Sequence, residues 1–311
     1  MRKGQLIPVF KIPTYKNPEV ASLAWAIYSA PLLKDVTGIS IVGETWSRDQ
    51  FVKHEEWLRE LDADPSPLQA HIARDAEKLL GKRFESLIAF WFEQSPHYEL
   101  LGRNIVLSED KNTRGEIDLL VRDKDDGELM HFEVACKYYI QLHQSRQWKD
   151  WPGPNGKDSL QNKISKLYQQ VRIFQTSLGQ SYLHTHHLKK PSSYAFVKGY
   201  FFHAYDNLIM PVPPNNAHPH YNSGWYVSLA ELERFSGKHP QWLMLPKTMW
   251  TCPYHFPEED QILLTGDELI ESCRAEILRT QKAAMIVQVI RESGYLREIS
   301  RGFVLKNQIA T

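Results

Sequence analysis

"RGEIDLLVRDKDDGELMHFEVACKYY", residues 114–139, reads as two strands joined by an acidic turn. Lys124-Asp125-Asp126-Gly127 carries the Asp-Gly chemistry of a hairpin turn, and residues 115–123 and 128–140 on either side follow a period of two. Acids interrupt both runs. Glu116, Asp118, Leu120 and Arg122 share one face of the first strand, and Glu133, Ala135 and Lys137 share one face of the second. A hairpin of this kind sets Asp118 beside Glu133. Burying two like charges together is costly unless a cation lies between them, so this face calls for either water or a divalent ion.

Working outward, the helical period precedes these strands. LLGKRFESLIAFWFEQ ends a helical region over 68–94, with Leu79, Phe84, Leu87, Ile88 and Trp91 on one stripe. Helices are also expected over 17–33, where Asn17-Pro18 provides a cap, and over 48–62. Residues 98–110 form a further strand. After the hairpin come a loop (148–157), a helix over 158–176 capped by Asp158, and a strand over 192–204 buried on both faces. Beyond a Pro/Asn-rich loop (210–224), WYVSLAE and WLMLPKTMW read as short strands. A polar helix is expected over 266–292, and GFVLK as a last strand.

Lys plus Arg equals Asp plus Glu, at 37 each, so any basic surface is local. One stretch qualifies. Residues 141–190 hold eight Lys/Arg against two Asp/Glu, among them Arg146, Lys149, Lys157, Lys163, Lys166 and Arg172, interleaved with Trp148, Trp151 and Tyr168. Beside a metal site this pattern suits a phosphate backbone with stacked bases, although the tryptophans serve equally well as core plugs. Three widely spaced cysteines form no CxxC pair, which fits reduced thiols in a cytoplasm. MRKGQLIPVFKIPTYK lacks the apolar run of a signal peptide, and no stretch reads as a membrane span. HTHHLKK (184–190) reads as a basic loop rather than a zinc site. No GxSxG, GxGxxG or Walker A motif is present.

The order of these parts resembles the PD-(D/E)xK nuclease superfamily over residues 80–204. A helix carries Glu85, a strand carries Gly115-x-x-Asp118, a strand carries Glu133 and a following lysine, and a helix comes next. The whole chain is also similar to the bacterial domain-of-unknown-function family 1853 in LAWAIYSAPLL, GKRFESLIAFW, GEIDLLV, HFEVACKYY, GPNGKDSLQNKISKL and LPKTMW. The superfamily resemblance implies an α/β (α+β) fold with a restriction-endonuclease-like αβββαβ core and a mixed sheet. It would occupy 79–208, between an N-terminal helical region (1–78) and an irregular C-terminal extension (209–311) of the same globule.

The resemblance also implies a Mg²⁺- or Mn²⁺-dependent nuclease acting on DNA. Asp118, Glu133 and the Val134 carbonyl would hold the metal, Lys137 would be the catalytic lysine, and Glu85 would be the helix acid. The basic residues of 141–190 would bind the nucleic acid. One departure stands out. The superfamily's E-x-K places its lysine at i+2, whereas here that position is Ala135 and Lys137 follows at i+4, roughly 6.6 Å further along the strand. Lys163 or Lys166 of the next helix is the alternative amine. Two other functions stay open: a catalytically silent module of the same fold that binds nucleic acid, and a protein-facing scaffold.

Overall fold

The acidic hairpin forms as its sequence requires. In the computed structural model, which describes residues 14–75, 79–109, 112–208, 210–235, 241–259 and 261–306, Asp123 N–H donates to the Glu128 carbonyl and Gly127 N–H to that of Asp123. Gly127 takes φ +77°, the left-handed conformation that glycine adopts without a steric penalty. The expected absence of a signal peptide concerns a segment that lies largely outside the described residues. Among the described residues, no helix is long and apolar enough to cross a membrane.

The chain divides into two units built from alternating segments. One comprises Ala26–Lys137 and Asn162–Lys198. The other comprises the described chain up to Trp25, Tyr138–Gln161, and the chain from Gly199 onward.

The first unit holds α2 (Glu44–Ala63), α3 (Ser66–Asp75), α4 (Leu80–Gln94), β1 (Tyr98–Glu109) and β2 (Asn112–Asp123). It also holds β3 (Leu129–Ile140) as far as Lys137, α5 (Leu160–Gln170) from Asn162, α6 (Ser177–Thr185) and β4 (Ser192–Ala204) as far as Lys198. The succession α4-β1-β2-β3-α5-β4 is the expected αβββαβ order, with α6 inserted. β1, β2 and β3 pair antiparallel, and β4 lies next to β3. The apolar stripe of α4 buries Phe84, Leu87, Ile88, Trp91 and Phe92. Phe92 stacks on Phe132 of β3 at 5.2 Å, so aromatic contact ties the helix to the acidic hairpin. The helix expected over 158–176 is broken: a 3₁₀ turn at Ile173–Gln175 follows α5, and Thr176 then caps α6 by accepting from Gly179 N–H. The helical region expected over 68–94 likewise appears as two helices, α3 and α4.

The second unit is where a mixed strand arrangement is evident. β5 (Asn222–Ser228) runs parallel to β4 and to β9 (Tyr295–Leu305), whereas β8 (Ala284–Glu292) runs antiparallel to β9 and β6 (Trp242–Leu245) antiparallel to β8. A short β7 (His255–Pro257) also pairs with β9. Trp225, Trp242, Leu232, Leu269, Cys273 and Ile286 form its core with α7 (Leu229–Phe235) and α8 (Gly266–Thr280). The helix expected over 266–292 is corrected here. α8 ends at Thr280, Gln281 turns left-handed at φ +55°, and the remainder is β8. The β-branched run Ile286-Val287 and Val289-Ile290 fits a buried pleat better than a helix. α1 (Pro18–Tyr28) starts where expected, with Asn17 Oδ1 accepting from Glu19 and Val20 N–H.

Candidate active site

Leu119 pairs with Phe132 and Leu120 with His131, so continuing the antiparallel register sets Asp118 opposite Glu133. There the ladder changes. Val134 N–H donates to the Asp118 side chain, at Oδ2 and 2.9 Å. On the other side, Arg103 and Ile105 of β1 pair with Leu119 and Ile117 and flank Asn104, whose φ is +49°. Ile117 and Leu120, which strict alternation would send to opposite faces, both join the cluster around Ile173 and Phe174. The pleat is therefore interrupted at Asp118. Asp118 also lines a cavity of about 160 Å³, with Lys82, Glu85, Arg103 and Asn104 among others.

Asp118 is 8 % exposed and Glu133 is 0 % exposed. Burial disfavours the charged form of each, the negative charge of Glu133 adds to the effect at Asp118, and both are pushed up to about 7. Glu133 Oε1 meets His131 Nε2 at 2.9 Å. Oε2 is buried with no hydrogen-bond partner. His131 is itself buried, which pushes its imidazole down to about 4 and keeps it neutral at neutral pH.

α5 supplies the compensating charge. Lys163, the second residue of α5 within this unit, is buried, and its positive charge acts on both acids. Burial, then the nearby charge of Lys137, pulls its pKa down, while Asp118 and Glu133 pull it up. Lys166, one turn on and exposed, acts on Glu133 as well. Lys137 is half-buried in β3, and its charge bears on Lys163. Glu85 lines the same cavity as Asp118, held by Lys82 Nζ at 2.7 Å. Burial raises its pKa and the Lys82 bond opposes that rise. Glu116 is more open and lies 3.7 Å from the Lys82 amine.

The sequence-derived basic residues are distributed across both units. Lys166 is exposed, Arg172 lies over the Tyr168 ring at 3.4 Å from its centroid, and Lys163 is buried, its charge acting on the acids. Arg146, Lys149 and Lys157 belong to the other unit, where all three are exposed. Trp151 there is a core plug, fully buried with its indole N–H on the Ser145 carbonyl. Trp148 is half-buried, its indole N–H on the Asn215 carbonyl. His186 of HTHHLKK hydrogen-bonds the Tyr182 carbonyl through Nδ1 and stacks on the Tyr182 ring, closing the end of α6. Sequence reasoning missed His131 and its partner Ser193. The available signal was a histidine two residues before the strand acid, on the same face.

The donor set can be tested against a metal. An unpartnered buried oxygen on Glu133, a second buried acid opposite it and a donor set made of oxygens all fit a hard divalent cation. The model of the family described as "Domain of unknown function (DUF1853)" matches residues 21–305. No curated protein and no solved structure matches the chain.

Proposed function

The chain thus belongs to the DUF1853 family, whose description names no activity, and from the chemistry of the site itself we propose that it hydrolyses phosphodiester bonds in nucleic acid, in DNA in the first instance. The observation that carries this reading is the pair of buried acids, Asp118 and Glu133, with an Oε2 lacking a hydrogen-bond partner and the charge of buried Lys163 acting on both. Asp118 and Glu133 are the residues that would hold Mg²⁺ or Mn²⁺. Such an ion supplies Lewis acidity toward a phosphoryl oxygen and a bound water of lowered pKa. Lys163 takes the part of the catalytic lysine in preference to Lys137: its charge acts on both acids, where it would orient water or offset negative charge on the phosphate. Glu85, pinned by Lys82, lines a cavity with Asp118. Lys166 and the Arg172–Tyr168 stack supply positive charge and an aromatic face within the same unit. All three cysteines are buried thiols, which agrees with a cytoplasmic protein.

One observation favours a second reading, a silent module of the same fold that binds nucleic acid or protein. Glu133 is fully buried and Val134 and His131 already engage one oxygen of each acid, so the pair could serve structure alone. The two readings separate in one experiment. Wild-type and E133Q chains are incubated with labelled single-stranded DNA, duplex DNA or RNA in Mg²⁺ or Mn²⁺. Metal-dependent cleavage by wild type that is lost in E133Q supports the hydrolase. No cleavage of any of the three, together with no metal uptake by calorimetry, leaves the silent module.

A further inference from the structure

We propose that His131 is a positioning residue of this site: its Nε2–H grips Glu133 by Oε1, the Ser193 hydroxyl supports that tautomer by satisfying Nδ1, and Oε2 is thereby left as the oxygen offered to a divalent cation. This rests on the reading of Asp118 and Glu133 as a cation site. The geometry forms a relay. Ser193 Oγ of β4 lies 3.1 Å from His131 Nδ1, and His131 Nε2 lies 2.9 Å from Glu133 Oε1. An ionised carboxylate only accepts, so Nε2 carries the proton toward Glu133. A neutral imidazole then presents a bare Nδ1, which the Ser193 hydroxyl satisfies as donor.

The ring is held from the side as well. Phe174 meets the imidazole edge-on, with centroids 5.3 Å apart and planes at 86°, and His131 has no exposed surface. Glu133 has three side-chain torsions and would otherwise sample several rotamers. With Oε1 anchored, the second oxygen is fixed with no hydrogen-bond donor of its own, and the Asp118 side chain is its neighbour. Partners that orient a ligand in this way commonly change metal affinity by about 10–100-fold when removed.

The test is calorimetric titration of Mn²⁺ into wild type, H131L, H131Q, S193A and E133Q. Urea midpoints and ¹⁵N chemical shifts of the His131 ring are measured in parallel. E133Q is expected to take up no ion, and H131L to bind about 10–100-fold more weakly. H131Q, whose amide N–H reaches the place of Nε2, should stay within a few-fold of wild type. S193A should weaken binding and lose the pure Nε2–H signature. A purely structural histidine would move the urea midpoint of H131L without moving affinity, and wild-type affinity in H131L overturns the proposal. If H131L does not fold, S193A decides, since wild-type affinity with an unchanged ring tautomer overturns it equally. E133Q binding Mn²⁺ as tightly as wild type would instead refute the cation site itself, a result the histidine variants cannot mimic.

Discussion

Asp118 Oδ2 accepts the backbone N–H of Val134 at 2.9 Å, so a side chain stands where a strand partner would. This ties the proposed metal site to architecture at one atom and lets the two be separated. Asn keeps an acceptor oxygen for Val134 but cannot ionise. D118N should therefore fold with a urea midpoint near wild type and lose nucleic-acid cleavage. Ala removes the acceptor as well, leaving a buried N–H unpaired at a cost of about 1–3 kcal/mol. D118A should thus fail both in rate and in stability, and chemical denaturation of the two variants side by side checks the split.

The amine assignment gives a second expectation. Lys163 acts on both acids, whereas Lys137 acts on Lys163. K163M should reduce cleavage by about 10²-fold, and K137M by much less. Initial rates on one labelled duplex at fixed Mn²⁺ compare them directly. Equal losses would mean that both amines serve the reaction.

The acid pair also sets a pH response. Asp118 and Glu133 titrate at about 7 in the fold, far above the ordinary range for carboxyls near 4. Between those values the native state binds more protons than the unfolded chain, so stability is lost as pH rises through that window. The urea midpoint of the metal-free wild type should therefore lose ground to that of E133Q between about pH 5 and about pH 8. A cation competes with the same protons, so Mn²⁺ affinity should drop about tenfold or more from about pH 8 to about pH 6.

Lys198 responds with the opposite sign. It is fully buried in β4, donates to the Ser29 carbonyl and, at 2.9 Å, to Ser47 Oγ, and burial brings its pKa down to about 7 against the opposing pull of Glu44. Between about 7 and the ordinary value near 10.4 the unfolded chain binds the extra proton, so this group's contribution to stability grows with pH. The wild-type urea midpoint should gain on that of K198M between about pH 7 and about pH 9.5. A constant difference would refute the titration.

The elements read most directly from sequence were those whose period and end signals agreed. The Asp-Gly turn at 124–127, the stripe of α4 and the cap at Asn17 each had a local cause that survived folding. The run 266–292 failed because a polar helix and a following β-branched strand share an apolar content that periodicity alone does not divide. The break at Gln281 depends on one left-handed residue with no glycine to announce it. At the site, Asp118 and Glu133 could be named because acids within apolar strands violate the usual pattern, whereas Glu85 was named only through the superfamily resemblance. The interruption of the pleat opposite Asn104 could not be named, since it arises from three strands meeting. His131 stayed hidden because its importance lies in a 3.1 Å contact with Ser193, 62 positions away.

The alternation of segments between the two units has a genetic consequence. The polypeptide changes unit after Trp25, Lys137, Gln161 and Lys198, twice within a strand. No single uninterrupted fragment encodes either half. Ribosomal synthesis lays down Asp118 and Glu133 before the Lys163 whose charge acts on both, and a premature stop between Lys137 and Lys163 would release a nascent chain in which these two acids lack that compensation. Dissection of this protein by trimming its ends is for that reason the wrong tool, and point substitution is the right one.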